Sequence, residues 1–221
     1  MNPLPFLRQM PLFQGLTGCD MTLLLGHAHE KTIQRTESFF HAGDAAARCF
    51  LLLEGHLKLG QITPAGEQGA ARLIAAGDIF GWAGLMDDHS YPGTAEALTA
   101  CRALWWETER MRQTLLATPH LALRLLALLG RRLREAESRL LDLATVRVEQ
   151  RLAKALLRQP ADLPLPLTRQ DLAELCGTTL YTVSRTLRAW EQAGWLRLGR
   201  GSLRVLSPPA LAALIQGPDA S

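Results

Sequence analysis

Cysteine is scarce and dispersed in this chain. Its four thiols, Cys19, Cys49, Cys101 and Cys176, include no C-x-x-C pair, which argues against a zinc ribbon, a redox dithiol and a disulfide framework and leaves buried structural thiols as the expectation. Long apolar runs are missing too. Arg, Glu or His breaks every hydrophobic segment before the roughly 20 residues that a bilayer crossing needs. Met1 to Met10 lacks a basic-then-apolar leader, so the expected setting is cytoplasmic, with no membrane partner. No Gly-rich phosphate loop occurs, and no local signature unites a nucleophile, a base and an orienting residue, which disfavours the rival reading as a β-roll metalloenzyme with an accessory helical domain. The six histidines, His27, His29, His41, His56, His89 and His120, lack metal-ligand spacing. In His27-Ala-His29-Glu30 the carboxylate follows too closely for a cupin-type site, so any metal ligand is left unknown.

Hydrophobic residues make up 48 % of the 221 positions and charged residues 20 %, a composition that belongs to ordinary globular domains and allows two of modest size. The net charge of +3 hides an asymmetry. Up to Thr118 there are 9 Lys and Arg against 12 Asp and Glu; from Pro119 onward there are 15 against 9. A basic C-terminal half fits a polyanionic partner, although arginine-rich solvated helix faces give the same count.

Between Phe6 and about Thr36 the pattern is broken and helix-like. From Ser38 to Glu107 turn signals at Gly43-Asp44, Glu54-Gly55, Pro64-Ala65-Gly66, Ala76-Gly77-Asp78 and Tyr91-Pro92-Gly93 separate short apolar runs such as Cys49 to Leu53 and Leu57 to Ile62. This spacing predicts an antiparallel barrel or β-roll, since no helix-length segment intervenes. Beyond Trp106 the period lengthens, and Thr118-Pro119 opens a helix with a capping residue followed by proline. Ala122, Leu126, Leu129, Leu133, Ala136, Leu140 and Leu143 recur at alternating steps of four and three, an a/d seam suited to a partner helix. An intramolecular hairpin is the alternative. Leu121, Leu125 and Leu128 form a second row that could pack on the β domain. A further helix is expected over roughly Arg147 to Arg158, and the three prolines between Pro160 and Pro166 mark a connector.

Thr168-Arg-Gln-Asp171 is a capping box, and a helix follows through Leu172, Ala173 and Leu175 to Cys176. Gly177 supplies a tight turn, and Thr179 can cap a second helix with Val183, Leu187 and Trp190 on its buried stripe. Tyr181, Thr182, Ser184, Arg185 and Arg188 lie off that stripe. Leu196-Arg-Leu198 and Leu203-Arg-Val205, joined by Gly199-Arg200-Gly201-Ser202, read as a basic hairpin. Capping box, glycine turn, polar helix face and hairpin in this order describe a winged helix-turn-helix. The candidate DNA contacts are Thr168, Arg169, Thr178, Thr179, Tyr181, Thr182, Ser184, Arg185, Arg188, Arg200 and Ser202. The fold class expected is α+β, with an effector-sensing β-roll over 1–118, a dimerisation helix over 119–145 and a winged helix-turn-helix domain over 146–221.

At these residues the chain resembles the Crp/Fnr superfamily of bacterial transcription regulators. The stretch from Leu167 to Gly177, followed by Thr178-Thr-Leu-Tyr-Thr-Val-Ser-Arg185, looks like that family's helix-turn-helix signature. Phe40-His-Ala-Gly-Asp44, Leu53-Glu-Gly55 and Ala76-Gly-Asp-Ile-Phe-Gly81 sit where the family has glycine turns in a cyclic-nucleotide-binding-like jelly roll. The resemblance implies a homodimer on double-stranded DNA with a two-fold symmetric operator, contact with RNA polymerase, and a small effector that shifts DNA affinity.

The chain departs from its relatives in the sensor. Cyclic-AMP-binding members carry a glycine-glutamate pair and, about ten positions later, an arginine before a small hydroxyl residue; here those places hold Gly81-Trp82 and Gly93-Thr94. A buried phosphate without its cation is costly, so cyclic AMP is disfavoured. Cys19 alone cannot hold an iron–sulfur cluster in the manner of the oxygen-sensing branch. The expected effector pocket is apolar, with Phe80, Gly81, Trp82, Leu85, Gly93 and Thr94. Gly177 to Glu191 is most similar to nitric-oxide-responsive NnrR-like members and related Dnr-like regulators, which implies haem as a candidate cofactor. Effector-independent DNA binding, with the roll as scaffold, and a degenerate cyclic-AMP pocket remain the alternatives.

Overall fold

The computed structural model describes residues 7, 10, 13–60, 72–86, 88–158 and 165–216. The turn expected at Pro64-Ala65-Gly66, the strand end at Gln61-Ile62 and most of the proline connector lie outside the described residues. Two compact units emerge, one ending at Glu135 and one beginning at Ala136.

Helix α1 (Gly18–Gly26) is capped by Thr17, whose hydroxyl accepts from Asp20 N while the Asp20 carboxylate accepts the Thr17 amide in return. There follow β1 (His29–Ile33), β2 (Arg48–Glu54), β3 (His56–Gly60), β4 (Arg72–Ala75), β5 (Ile79–Phe80), a 3-10 turn (Ala83–Met86), β6 (Thr94–Ala97) and β7 (Cys101–Glu107). They make two antiparallel sheets, ordered β1-β7-β2-β5 and β4-β3-β6. A helix-like pattern is expected up to Thr36, yet His29–Ile33 is a strand, in register with β7 from His29↔Trp105 to Ile33↔Cys101. Its polar sequence conceals it because this edge strand buries only Ile33.

Side chains alternate across β2 and β7, and both faces of these strands are covered. Phe50, Leu52, Cys101 and Ala103 point between the sheets, where they meet Leu57, Ile74, Ala95, Ala97 and the rings of Phe39, Phe40, Phe80 and Tyr91. Cys49, Leu51, Leu53, Leu104 and Trp106 belong to a second cluster with Met21, Leu24, Leu121 and Leu125. A strand covered on both sides reads as an unbroken apolar run, which is the pattern from Cys49 to Leu53. The Trp106 indole donates to the Leu24 carbonyl at 2.7 Å, so its polar atom is satisfied inside the layer.

Helices α2 (Thr108–Ala117) and α3 (Pro119–Thr145) follow the sheets. Leu121 and Leu125 are buried at the start of α3 and Leu128 is partly buried on the same cluster, as the second apolar row predicts. Arg132 pairs with Asp78 from the β4–β5 turn, which also lies 3.8 Å from the Arg72 guanidinium. Along the expected seam, Leu126, Leu133, Leu140 and Leu143 are 64, 61, 68 and 44 % exposed. Ala122, Leu129 and Ala136 are intermediate, and Leu129 leans on the first unit's core. No described helix is long and apolar enough to cross a membrane.

The second unit contains the end of α3, then α4 (Val148–Leu157), α5 (Arg169–Cys176), α6 (Leu180–Gln192), the hairpin β8 (Leu196–Gly199) and β9 (Ser202–Val205), and α7 (Pro208–Gln216). Neither α2 nor α7 is anticipated by the hydrophobic pattern. A proline at its first position is the local signal for α7, and Gln150 Nε2 donates to the Leu214 carbonyl at 2.9 Å.

Burial pushes the Cys49 and Cys176 thiols up to about 12 and about 11, and raises that of Cys101, whereas Cys19 is exposed. A thiol reagent is therefore expected to label Cys19 alone in the native protein and all four cysteines after denaturation. Mass spectrometry of the labelled peptides checks this, and native labelling of Cys49 or Cys176 would contradict the packing.

Candidate nucleic-acid interface

The first helix of the pair starts where its capping box closes. Thr168 Oγ1 accepts from Asp171 N at 3.1 Å, and the Asp171 carboxylate accepts from Thr168 N at 2.8 Å and from the Thr168 hydroxyl at 2.7 Å. Gly177 ends α5 with φ +58°, a left-handed conformation, and a Cβ there would stand 2.7 Å from Leu143 Cδ2. Thr179 caps α6 by accepting from Thr182 N at 3.2 Å. Val183, Thr186, Leu187 and Trp190 are buried. That stripe fixes the helix's rotation and leaves Leu180, Tyr181, Arg185 and Arg188 exposed, with Thr182 and Ser184 intermediate.

Arg151 of α4 pins the turn between the two helices. Its guanidinium donates to the carbonyls of Cys176 at 3.0 Å, Val146 at 2.8 Å and Gly177 at 3.3 Å. Buried Asp142, near the end of α3, accepts from Lys154 Nζ at 2.5 Å and lies 3.9 Å from Arg158. These bonds lock the end of α3, the start of α4 and the helix-turn-helix corner into one block.

The wing pairs Leu196↔Val205 through Gly199↔Ser202, and Leu165 extends it through two backbone bonds with Leu203, at 2.7 and 3.0 Å. Leu196, Leu203 and Val205 are buried, while Arg197 and Arg204 are exposed and directly opposite one another. Like charges in such a pair repel, and a polyanion relieves the repulsion. These two arginines stand outside the expected contact set, although the Leu-Arg-Leu and Leu-Arg-Val alternation already places them on one face.

A cleft of about 490 Å³ between α5, α6 and the wing is lined by Thr168, Arg169, Ser184 and Ser202, with Leu180 and Gly201. Four expected contacts are thus brought together. Tyr181, Arg185 and Arg188 occupy the neighbouring stripe of α6, and Arg200 is exposed on the hairpin turn. Thr178 spends its amide on the Ala173 carbonyl at 3.0 Å. The Thr168 and Thr179 hydroxyls are committed to the caps, so what these residues offer a phosphate is a helix end rather than a hydroxyl.

The sensor residues are divided. Phe80 lies between the sheets, its ring centroid 5.0 Å from Phe50 and 5.2 Å from Phe39, while Phe40 stacks on Tyr91 at 3.8 Å. Trp82 and Leu85 pack on the second cluster instead. The single pocket expected around Phe80, Trp82 and Leu85 is corrected to two separate faces. Gly81 is the cause: φ +68° breaks the strand alternation, and a Cβ there would meet Phe50 at 2.8 Å and Phe40 at 2.9 Å. Gly93 is buried, and the Thr94 hydroxyl accepts the Ala42 amide at 3.1 Å. His56 is the half-buried histidine, its pKa lowered by burial, and the other five are exposed. Among the described residues no three His, Cys, Asp or Glu gather as a metal site.

A two-sheet β-roll followed by a long helix and a basic winged helix-turn-helix defines a DNA-binding regulator. Residues 30–118 match the cyclic nucleotide-binding domain family, and residues 150–214 match the Crp-like helix-turn-helix domain family. The cyclic AMP receptor protein of Thermus thermophilus is 31 % identical over 88 % of this chain and 92 % of its own length. The transcriptional activator protein FnrA of Stutzerimonas stutzeri is 25 % identical over 85 % of this chain and 80 % of its own. The crystal structure of the Thermus thermophilus catabolite activator protein, 30 % identical, superposes with a TM-score of 0.54 over 94 % of this chain and 99 % of that one. The chain belongs to the Crp/Fnr family of transcription regulators; it is a regulator and not an enzyme.

Removing the cap of α5 tests how this interface is held. Thr168→Ala is expected to destabilise the second unit by about 1 kcal/mol, read as a lower urea midpoint. A weaker DNA affinity should accompany it, because a frayed first turn loosens the seat of α6.

Proposed function

We propose that the protein acts in the cytoplasm as a homodimer, binding a two-fold symmetric operator through α6 and the wing and contacting RNA polymerase. Its domains are then a sensor over 1–118, a dimerisation helix over 119–145 and a reader over 146–221; the matched regions 30–118 and 150–214 support that division. The observation that carries this is the pair of unpartnered surfaces. On α3, Leu126, Leu133 and Leu140 are each more than half exposed at heptad spacing, which suits a second copy of the same helix. On α6, Tyr181, Arg185 and Arg188 form an exposed stripe opposite the buried one. A dimer presents that stripe twice, once to each half-site.

Within the reader, Tyr181, Thr182, Ser184 and Arg185 face base edges, and Arg169, Thr178, Arg188, Arg200 and Ser202 hold the backbone. Arg185→Ala is expected to cost about 2 kcal/mol on the operator while changing random-duplex binding little. Arg200→Ala should weaken both alike and lower the salt slope by about one per half-site. Fluorescence anisotropy across a salt series checks the pair, and equal losses on operator and random duplex for Arg185→Ala would reverse the assignment.

For the sensor we propose an effector other than a cyclic nucleotide. Trp82 and Gly93 occupy the places where nucleotide-binding relatives present a carboxylate and a cation, and the space between the sheets is filled by Phe39, Phe40, Phe50, Phe80 and Tyr91. The similarity of Gly177 to Glu191 to NnrR-like and Dnr-like members makes nitric oxide the candidate signal, with denitrification or nitrosative-stress genes as the target class. Haem enters through that resemblance alone. A porphyrin would have to displace rings packed 3.8 to 6.2 Å apart, and only His56 of the histidines is half-buried, so the residues present do not fit it in the roll. Cyclic AMP is the second reading, favoured by the name of the Thermus relative. Operator affinity is expected to be unchanged by saturating cyclic AMP and to respond to a nitric oxide donor. A cyclic-AMP-dependent gain would select the second reading, and a Soret shift on adding haem would restore the porphyrin.

A further inference from the structure

Most of the polar capacity in the first turn of α6 is consumed internally. Thr179 Oγ1 accepts from Thr182 N at 3.2 Å and shares a hydrogen with Thr182 Oγ1 at 3.0 Å. What this turn projects outward is the Leu180 side chain, 47 % exposed, and the ring and hydroxyl of Tyr181, 75 % exposed. Covering a leucine that is exposed on a helix face gains free energy. Among the described residues Leu180 stays about half exposed, opening onto the cleft beside Ser184 and the wing.

The one carboxylate of α6, Glu191, accepts from Leu198 N at 2.8 Å. The exposed stripe therefore offers no acceptor-only group for the cytosine amine, and its cations, Arg185 and Arg188, lie about one and two turns beyond Leu180 and Tyr181. In the major groove the feature that matches a leucine or a phenol ring edge is the 5-methyl group of thymine. The surrounding charge favours the same occupant: Arg185, Arg188 and Arg200 are exposed around the patch, as a phosphate-lined groove requires.

We infer that Leu180, supported by Tyr181, determines half-site specificity by covering thymine 5-methyl groups, so that each half-site pairs a thymine step with the guanine read by Arg185. This rests on α6 being the recognition helix of the proposed dimer.

The test removes the methyl without touching any hydrogen-bonding atom. Operators are first selected from random duplexes with the full-length protein. Each thymine of the half-site is then replaced by deoxyuridine, and the Kd is measured by anisotropy. At one or more thymines the replacement is expected to weaken binding about fourfold per methyl lost from contact. Leu180→Ala should bind the thymine and uracil operators equally at that position, with Tyr181→Ala giving a partial loss of discrimination. Equal affinity of the unmodified protein for thymine and all-uracil operators would overturn the inference while leaving the recognition helix in place. Undiminished methyl discrimination in Leu180→Ala would likewise overturn it, and that variant's helix content is checked by circular dichroism. If no sequence is enriched at all, the parent proposal fails and this inference falls with it.

Discussion

The buried stripe of Val183, Leu187 and Trp190 is the constraint on which the exposed face of α6 depends. A helix has one rotational freedom about its axis, and burying three large side chains at i, i+4 and i+7 removes it. Once it is removed, Tyr181, Arg185 and Arg188 have no orientation but outward. The corner that sets the helix's position has its own fixings. Gly177 takes a backbone conformation that a side chain would strain, Leu143 fills the space where a Cβ would sit, and Arg151 holds the carbonyls of Val146, Cys176 and Gly177. Leu143 belongs both to the seam of α3 and to that contact. In a dimer, the register of the seam would therefore bear on the helix-turn-helix corner through one side chain.

The β-roll obeys a different rule. Strands β2 and β7 are covered on both faces, so their sequence must be apolar almost throughout, and the two faces feed two separate clusters. One cluster is a set of stacked rings between the sheets. The other joins the sheet to α1 and to the start of α3. Arg132 with Asp78 adds a charged tie between α3 and the β4–β5 turn. The start of α3 is thus tied to the roll at two places, through the second cluster and through Asp78.

Periodicity was sufficient wherever one face of an element is buried and the other is not. The second apolar row of α3, the capping box at Thr168 and the wing alternation are of this kind, and each is found at the residues expected. It failed where an element is too short or too polar to show a face. His29–Ile33 buries one residue, Thr108–Ala117 buries only Thr114, and neither carries a stripe that a window of sequence can register. Arg197 and Arg204 lie outside the expected contact set, because their direct opposition across the hairpin is not given by spacing along the chain.

By itself, the order of residues determined the architecture and the class of partner, because caps, turns and apolar periods are local and act within a few positions of chain. Only the tertiary structure decided which side chains share a surface. Phe80 and Trp82, two apart in sequence, lie on different clusters because one left-handed glycine turns the backbone between them. The hydroxyls of Thr168 and Thr179, polar by composition, are committed to the helix caps. Hydrogen-bond commitments and face assignments of this sort depend on neighbours that the linear chain does not specify.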